Sequence, residues 1–198
     1  MIPRWYKLSY LVFVAGLVPA YTLEYGLVNF LWFSNVALIG GLLAAWLESP
    51  RLASMMAISV VLLEMVWVFD FLLSLALLGP TPLGVVDYMY NPEIALHVRL
   101  FSLYHLLLPL VLVWMVWRLG YDPTAWRLWV PTGCVILLVS FLLSTPERNI
   151  NWVWGPGGVQ EWTSPYVWLG VTVVVCVSVW WLTHRVLLTG LRWFGRTG

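Results

Sequence analysis

Apolar runs of bilayer-crossing length recur along the chain, with little between them but turn chemistry. A spanning helix needs about 20 mostly apolar residues. Six runs fit, at approximately 7–23, 27–47, 52–78, 95–118, 125–144 and 165–188. They are separated by Glu48-Ser49-Pro50, a loop holding Pro80, Pro82, Gly84 and Pro92, the turn from Gly120 to Pro123, and the segment from Thr145 to Ser164. Such residues stop helices. Pro19, Pro109 and Pro131 lie inside runs, which membranes tolerate when neighbouring groups re-satisfy the freed backbone. The expectation is a single all-α domain covering 1–198, a polytopic bundle of six transmembrane helices.

Composition narrows the class further. The chain is 62% hydrophobic and 10% charged, against roughly a quarter charged in soluble domains. Ten basic and nine acidic residues nearly cancel, and no dense basic cluster suits nucleic acid, so no nucleic-acid partner is expected. Cys134 and Cys176 are lone cysteines in apolar runs and read as small hydrophobes, with neither a disulfide nor a zinc motif. The basic start followed by an apolar run resembles a signal peptide. Because it leads directly into a second apolar run, a retained first helix is expected.

Orientation follows from the basic residues, which collect at cytoplasmic ends. With the N-terminus inside, Arg4, Lys7, Arg51, Arg118, Arg127, Arg185, Arg192 and Arg196 fall on the cytoplasmic side, leaving Arg99 and Arg148 opposite. A multi-pass inner-membrane protein with both termini cytoplasmic is expected. Trp5, Trp117, Trp126, Trp152, Trp154, Trp162, Trp181 and Trp193 lie near run ends, as an aromatic belt would. In the second run Ala37, Gly41 and Ala45 recur every four residues, a stripe that lets helices approach closely.

Ionisable side chains at membrane depth are expensive and mark candidate sites. In this orientation Ser34 and Asn35, Glu64 and Asp70, His97, Arg99, Ser102 and His105, and the loop residue Asn151 gather in the outer half of the bundle. At about 100° per residue, Arg99, Ser102 and His105 share one stripe. His97 points away toward the rim, near water, Asp87 or Glu93. Asp70 is the expected partner of Arg99 by depth, as a buried ion pair. Glu64 and Asp70 stand about 120° apart around one axis and need not share a cavity. His105 is either an interhelical hydrogen-bonding residue or a general base, and Ser34 offers a hydroxyl nucleophile at similar depth. No metal site is expected, since two histidines eight apart are not a zinc signature; a metal on His97 or His105 with Asp70 and Glu64 is the less favoured arrangement. No cofactor is expected. His184, beside Arg185, reads as an interfacial residue.

The stretches FLWFSNVAL, LYHLLLPLVLVWMVWRLGYDP and RNINWVWGP resemble an uncharacterised family of small bacterial six-helix integral membrane proteins. A hydroxyl residue in an early helix, then His105 with Pro109 four residues on, then a Trp-Val turn, is similar to the androgen-induced-gene family of intramembrane hydrolases. That resemblance implies cleavage of fatty-acid esters by a threonine nucleophile and a histidine base; Ser34 stands where the threonine is expected. The function expected on these grounds is lipid-directed ester or acyl hydrolysis, with Ser34 attacking, His105 taking the proton, and Arg99, Asn35 or Asn151 binding the oxyanion or a head group. The alternative is a non-catalytic lipid- or quinone-binding protein, or an accessory subunit of a larger membrane complex. Membrane lipids are the expected partners, with other membrane proteins or further copies of the chain beside them.

Overall fold

The computed structural model describes the backbone of residues 1–193 and side chains as far as Gly190; the side chains of Arg192 and Trp193, and all of Arg196, lie outside the described residues. All regular structure among them is helical. The helices are α1 (Arg4–Tyr25), α2 (Phe33–Leu47), α3 (Pro50–Val60), α4 (Glu64–Leu77), α5 (Leu96–Phe101), α6 (Tyr104–Leu119), α7 (Ala125–Leu143) and α8 (Pro165–Trp193). Among the described residues four helices are long and apolar enough to cross a membrane, α5 and α6 counting together as Leu96–Leu119. A fifth crossing results if α3 and α4, bent by 53° at their junction, form one span. α2, at 15 residues, is shorter than each of these spans.

Each helix shows why it sits where it does. In α1 the buried residues Tyr10, Val14, Leu17 and Tyr21 follow the helical period, while Leu8, Leu11, Val12 and Leu23 stay exposed. The turn after α2 is tight: Glu48 takes the left-handed conformation at φ 48°, and Ser49 then caps α3 by accepting from the Leu52 amide at 3.2 Å, with Pro50 at the first helical position. α3 is the most enclosed element, burying Ala53, Ser54, Met56, Ala57, Ile58, Ser59 and Val60 among α2, α6, α7 and α8. Ala37 and Ala45 of α2 are fully buried, and Gly41 lies against Tyr10 and Leu112, as the small-residue stripe predicts. Trp180 of α8 ties the centre together. It is fully buried, donates to the Ser59 carbonyl at 3.1 Å, meets Phe33 and Trp129 edge-on, and lies over Gly133.

The two ends of the bundle differ in chemistry. At the end carrying the start of α1, Lys7 pairs with Glu48 at 2.7 Å and Arg51 with Asp122 at 2.9 Å. There Tyr121 and His184 share a hydrogen bond of 2.6 Å; Trp126 stands beside that imidazole. The opposite end carries the long loops, and Arg148 donates to the Tyr25 carbonyl at 2.8 Å. Hydrogen bonding from Lys7 holds the Glu48 carboxyl below its ordinary value of 4.5, against a smaller opposing effect of burial. At Asp122 burial pushes up, but hydrogen bonds from Thr124 and Arg51 outweigh it and hold the carboxyl below 3.8. Acids with depressed values stabilise the fold above their ordinary pKa and lose that contribution as pH falls through the folded value. The unfolding midpoint in detergent is therefore expected to be insensitive to these groups above about pH 5 and to fall below about pH 4. Glu48→Gln should flatten part of that acid limb.

Candidate functional site

Both expected acids of the third run are buried, but they do different work. Asp70, fully buried, accepts from the Thr81 hydroxyl and from the Val86 amide at 2.9 Å. Thr81 in turn accepts from the Leu83 and Gly84 amides at 3.2 and 3.3 Å. The expected Asp70–Arg99 ion pair is absent. Arg99 instead donates from Nη1 to the Met89 carbonyl at 3.0 Å, and its Nε is buried with no hydrogen-bond partner. Depth alone suggested the pair; the loop after α4 folds back and satisfies Asp70 with neutral donors first. Asp70→Ala strands the Val86 amide and the Thr81 hydroxyl, at a cost of about 1–3 kcal/mol. Limited proteolysis in micelles should then cut between residues 79 and 86 faster than in wild type, and an unchanged rate would sink this account of the loop.

Glu64 finds the partner the sequence did not assign. Its Oε2 lies 2.8 Å from His105 Nδ1, with side chains 7% and 14% exposed. Both residues sit where a span is broken. Glu64 opens α4 just after the turn at 61–63, where its charge suits the helix N-terminus, and His105 follows the break between α5 and α6 at 102–103. Pro109 has no N–H to give the His105 carbonyl four residues earlier, so the helix is loosened at this histidine. The imidazole stacks on Trp67 at 4.8 Å and on Tyr104 at 4.2 Å between centroids.

A shell of tyrosines and amides surrounds the pair. Tyr104 donates to Asn35 Oδ1 at 2.9 Å, and its hydroxyl also interacts with Ser34. Asn35 spends its amide on the Asn29 carbonyl at 2.9 Å. Ser102 meets the Tyr21 hydroxyl at 2.7 Å. Trp67 donates to Tyr88 at 3.1 Å; burial pushes the Tyr88 phenol up to about 12, against the lowering effect of hydrogen bonds with Ser102 and Trp67. Asn151 enters from the loop after α7 in a left-handed conformation, φ 54°. It accepts from the Phe33 amide at 3.0 Å and donates to the Leu31 carbonyl and Ser140 hydroxyl at 2.8 and 3.0 Å. The irregular backbone of Leu27–Leu31 is thus satisfied in part by the side chains of Asn35 and Asn151.

Of the expected site residues, Ser34, Asn35, Glu64, Ser102 and His105 come together around Tyr104 and Tyr21. Asn151 braces the wall formed by Leu31 and Phe33. Asp70 anchors a loop, Arg99 lies beside Met89, and His97 is exposed with no hydrogen bond to Asp87 or Glu93 among the described residues. Ser34 has no hydrogen bond to His105 among them either. The described residues hold no group of three His, Cys, Asp or Glu side chains placed for a metal ion. Tyr21, Tyr88 and Trp67 were not singled out from the sequence. Trp67, well inside its run and away from the interfacial belt, carried a signal, because an indole N–H buried in an apolar span needs a partner; Tyr21, near the end of its run, and Tyr88, in a loop, carried none. No family model, curated protein or solved structure matches the chain.

Proposed function

We propose that the protein crosses the inner membrane six times with both ends cytoplasmic, and that its outer-half site hydrolyses lipid ester or acyl bonds. The sixth crossing is α2 together with the turn before it. Fifteen helical residues rise about 22 Å, and the five residues Leu27–Leu31 add about 10 Å in a 3-10 turn, enough for a hydrocarbon core of about 30 Å.

The observation that carries the activity is the 2.8 Å contact between Glu64 and His105 Nδ1. A carboxylate on Nδ1 fixes the ring and leaves Nε2 as the basic nitrogen, the arrangement by which an acid–histidine pair serves a general base. Ser34 is turned to Tyr104, so in this reading water attacks the ester carbonyl. Its proton passes to His105 Nε2 and then to the alkoxide leaving with the broken C–O bond, while Glu64 stabilises the imidazolium. The amides of Asn35 and Asn151 are already donated, which leaves Arg99, with its unpartnered Nε, to bind the head group. With a fluorogenic umbelliferyl acyl ester in mixed micelles, His105→Ala should lower turnover at least about 100-fold and Ser34→Ala less than about threefold. No turnover by wild type on esters of any chain length overturns the hydrolase reading. Equal losses in both variants return the attack to Ser34.

One observation favours the second reading, a quinone- or lipid-binding protein or accessory subunit: the polar shell is closed on itself and His105 lies against flat rings. Quinone retained through extraction, or a heteromeric complex surviving it, together with no turnover, supports that reading.

A further inference from the structure

At the other end of the bundle from this site, a concavity of about 630 Å³ is lined by Ile2, Arg4, Lys7, Trp46, Glu48 and Arg118, with Met1 and Pro3 at its edge. Its charges do not balance. Glu48, its one acidic lining residue, is engaged by Lys7 at 2.7 Å and by the Ile2 amide at 3.2 Å. Arg118 gives one N–H to the Met1 carbonyl at 2.9 Å, and Arg4 is exposed with no side-chain hydrogen bond or ion pair among the described residues. Two guanidinium groups therefore face the concavity without a carboxylate. Exposed Trp5, Trp46 and Trp117 ring the same end, at 69%, 43% and 38%. Tryptophans of this kind settle at the level of lipid head groups, and basic pockets between helix ends at that level suit phosphate-bearing head groups. Guanidinium also matches a phosphate oxygen pair better than a point cation does.

We propose that this concavity binds the phosphate of an anionic lipid head group, with Arg4 and Arg118 as its ligands and Trp46 against the glycerol and upper acyl chain. The Lys7–Glu48 pair forms the floor and stays closed. The site is independent of the proposed hydrolysis.

The full chain, reconstituted in nanodiscs of phosphatidylcholine with or without one fifth phosphatidylglycerol, is released into detergent and its retained lipid counted by native mass spectrometry. Wild type should retain phosphatidylglycerol over phosphatidylcholine at about ten times their ratio in the disc, with Arg4→Gln lowering that several-fold and Arg4→Gln/Arg118→Gln abolishing it. Arg4 makes no contact that the fold needs, so its single variant remains informative if Arg118→Gln disturbs the N-terminal segment. Arg127→Gln, an exposed arginine outside the concavity, should leave the preference unchanged. Retention in proportion to abundance, or an equal loss in Arg127→Gln, overturns the proposal. Inorganic phosphate added to pure phosphatidylcholine discs distinguishes the source of the anion. Thermal stabilisation by phosphate that Arg4→Gln removes, without enrichment of phosphatidylglycerol, overturns the lipid assignment in favour of a soluble phosphate ligand.

Discussion

His105→Ala is expected to cost about 3–5 kcal/mol of folding stability, because it removes one partner of a buried pair and leaves the other uncompensated. Glu64, 7% exposed in its side chain, has no other hydrogen-bond partner among the described residues. The flat faces of Trp67 and Tyr104 lose the ring between them as well. Glu64→Ala should cost less, since the imidazole it leaves still stacks on Trp67 and Tyr104. The double variant Glu64→Leu/His105→Leu should recover most of the loss, as apolar replacement of a buried pair commonly does. Thermal unfolding in one detergent checks all three, and a double variant as unstable as the sum of the singles would show that the contact contributes nothing. This separates stability from chemistry: Glu64→Gln keeps a hydrogen-bonding side chain, so a folded protein with lost turnover would place the role in catalysis.

Gly133→Ala should be the second large effect. A Cβ there would lie 2.8 and 2.9 Å from two ring carbons of Trp180, closer than packed carbons approach. Trp180 cannot retreat, being fully buried and tied to the Ser59 carbonyl. Overpacking of this kind costs about 1–3 kcal/mol, and here it pushes α7 and α8 apart at the point where α3 is enclosed. Gly170→Ala, in α8, is the control. Its new methyl would meet nothing within 4 Å, and alanine favours the helix by about 1 kcal/mol. A melting temperature for Gly133→Ala equal to that for Gly170→Ala would contradict the keystone role of Trp180.

The helices were legible in the sequence because length and hydropathy suffice to mark them, and Ser49-Pro50 and Gly120 carry local reasons for their turns. The interruptions inside the runs were not. Val61-Leu62-Leu63 and Ser102-Leu103 contain neither glycine nor proline, so nothing local announces that α3 and α4 diverge by 53°. Once the run bends, angles taken from a straight helix fail; the pairing of Asp70 with Arg99, argued from depth, fails because the loop after α4 folds back onto Asp70. Of the residues grouped by depth, Glu64, Ser102, His105, Ser34 and Asn35 lie around Tyr104 and Tyr21. Which atom bonds which depended on Tyr21, Tyr88 and Tyr104 and on the fold-back of the loop through Thr81 and Val86. Those choices arise from competition among donors in three dimensions, which a one-dimensional pattern does not encode.

The reach of Asn151 bears on the order in which the chain can be assembled. Its contacts with Phe33 and Leu31 join residues 118 and 120 positions apart. During synthesis the corner between α1 and α2 is made long before that asparagine exists. Until the loop after α7 is made, the Phe33 amide and Leu31 carbonyl have no native partner, so this corner must wait in water, on a chaperone or on another helix. The α1–α2 hairpin is therefore the first part to be made and among the last to be completed. A chain shortened before residue 149 would present that unfinished backbone to quality control.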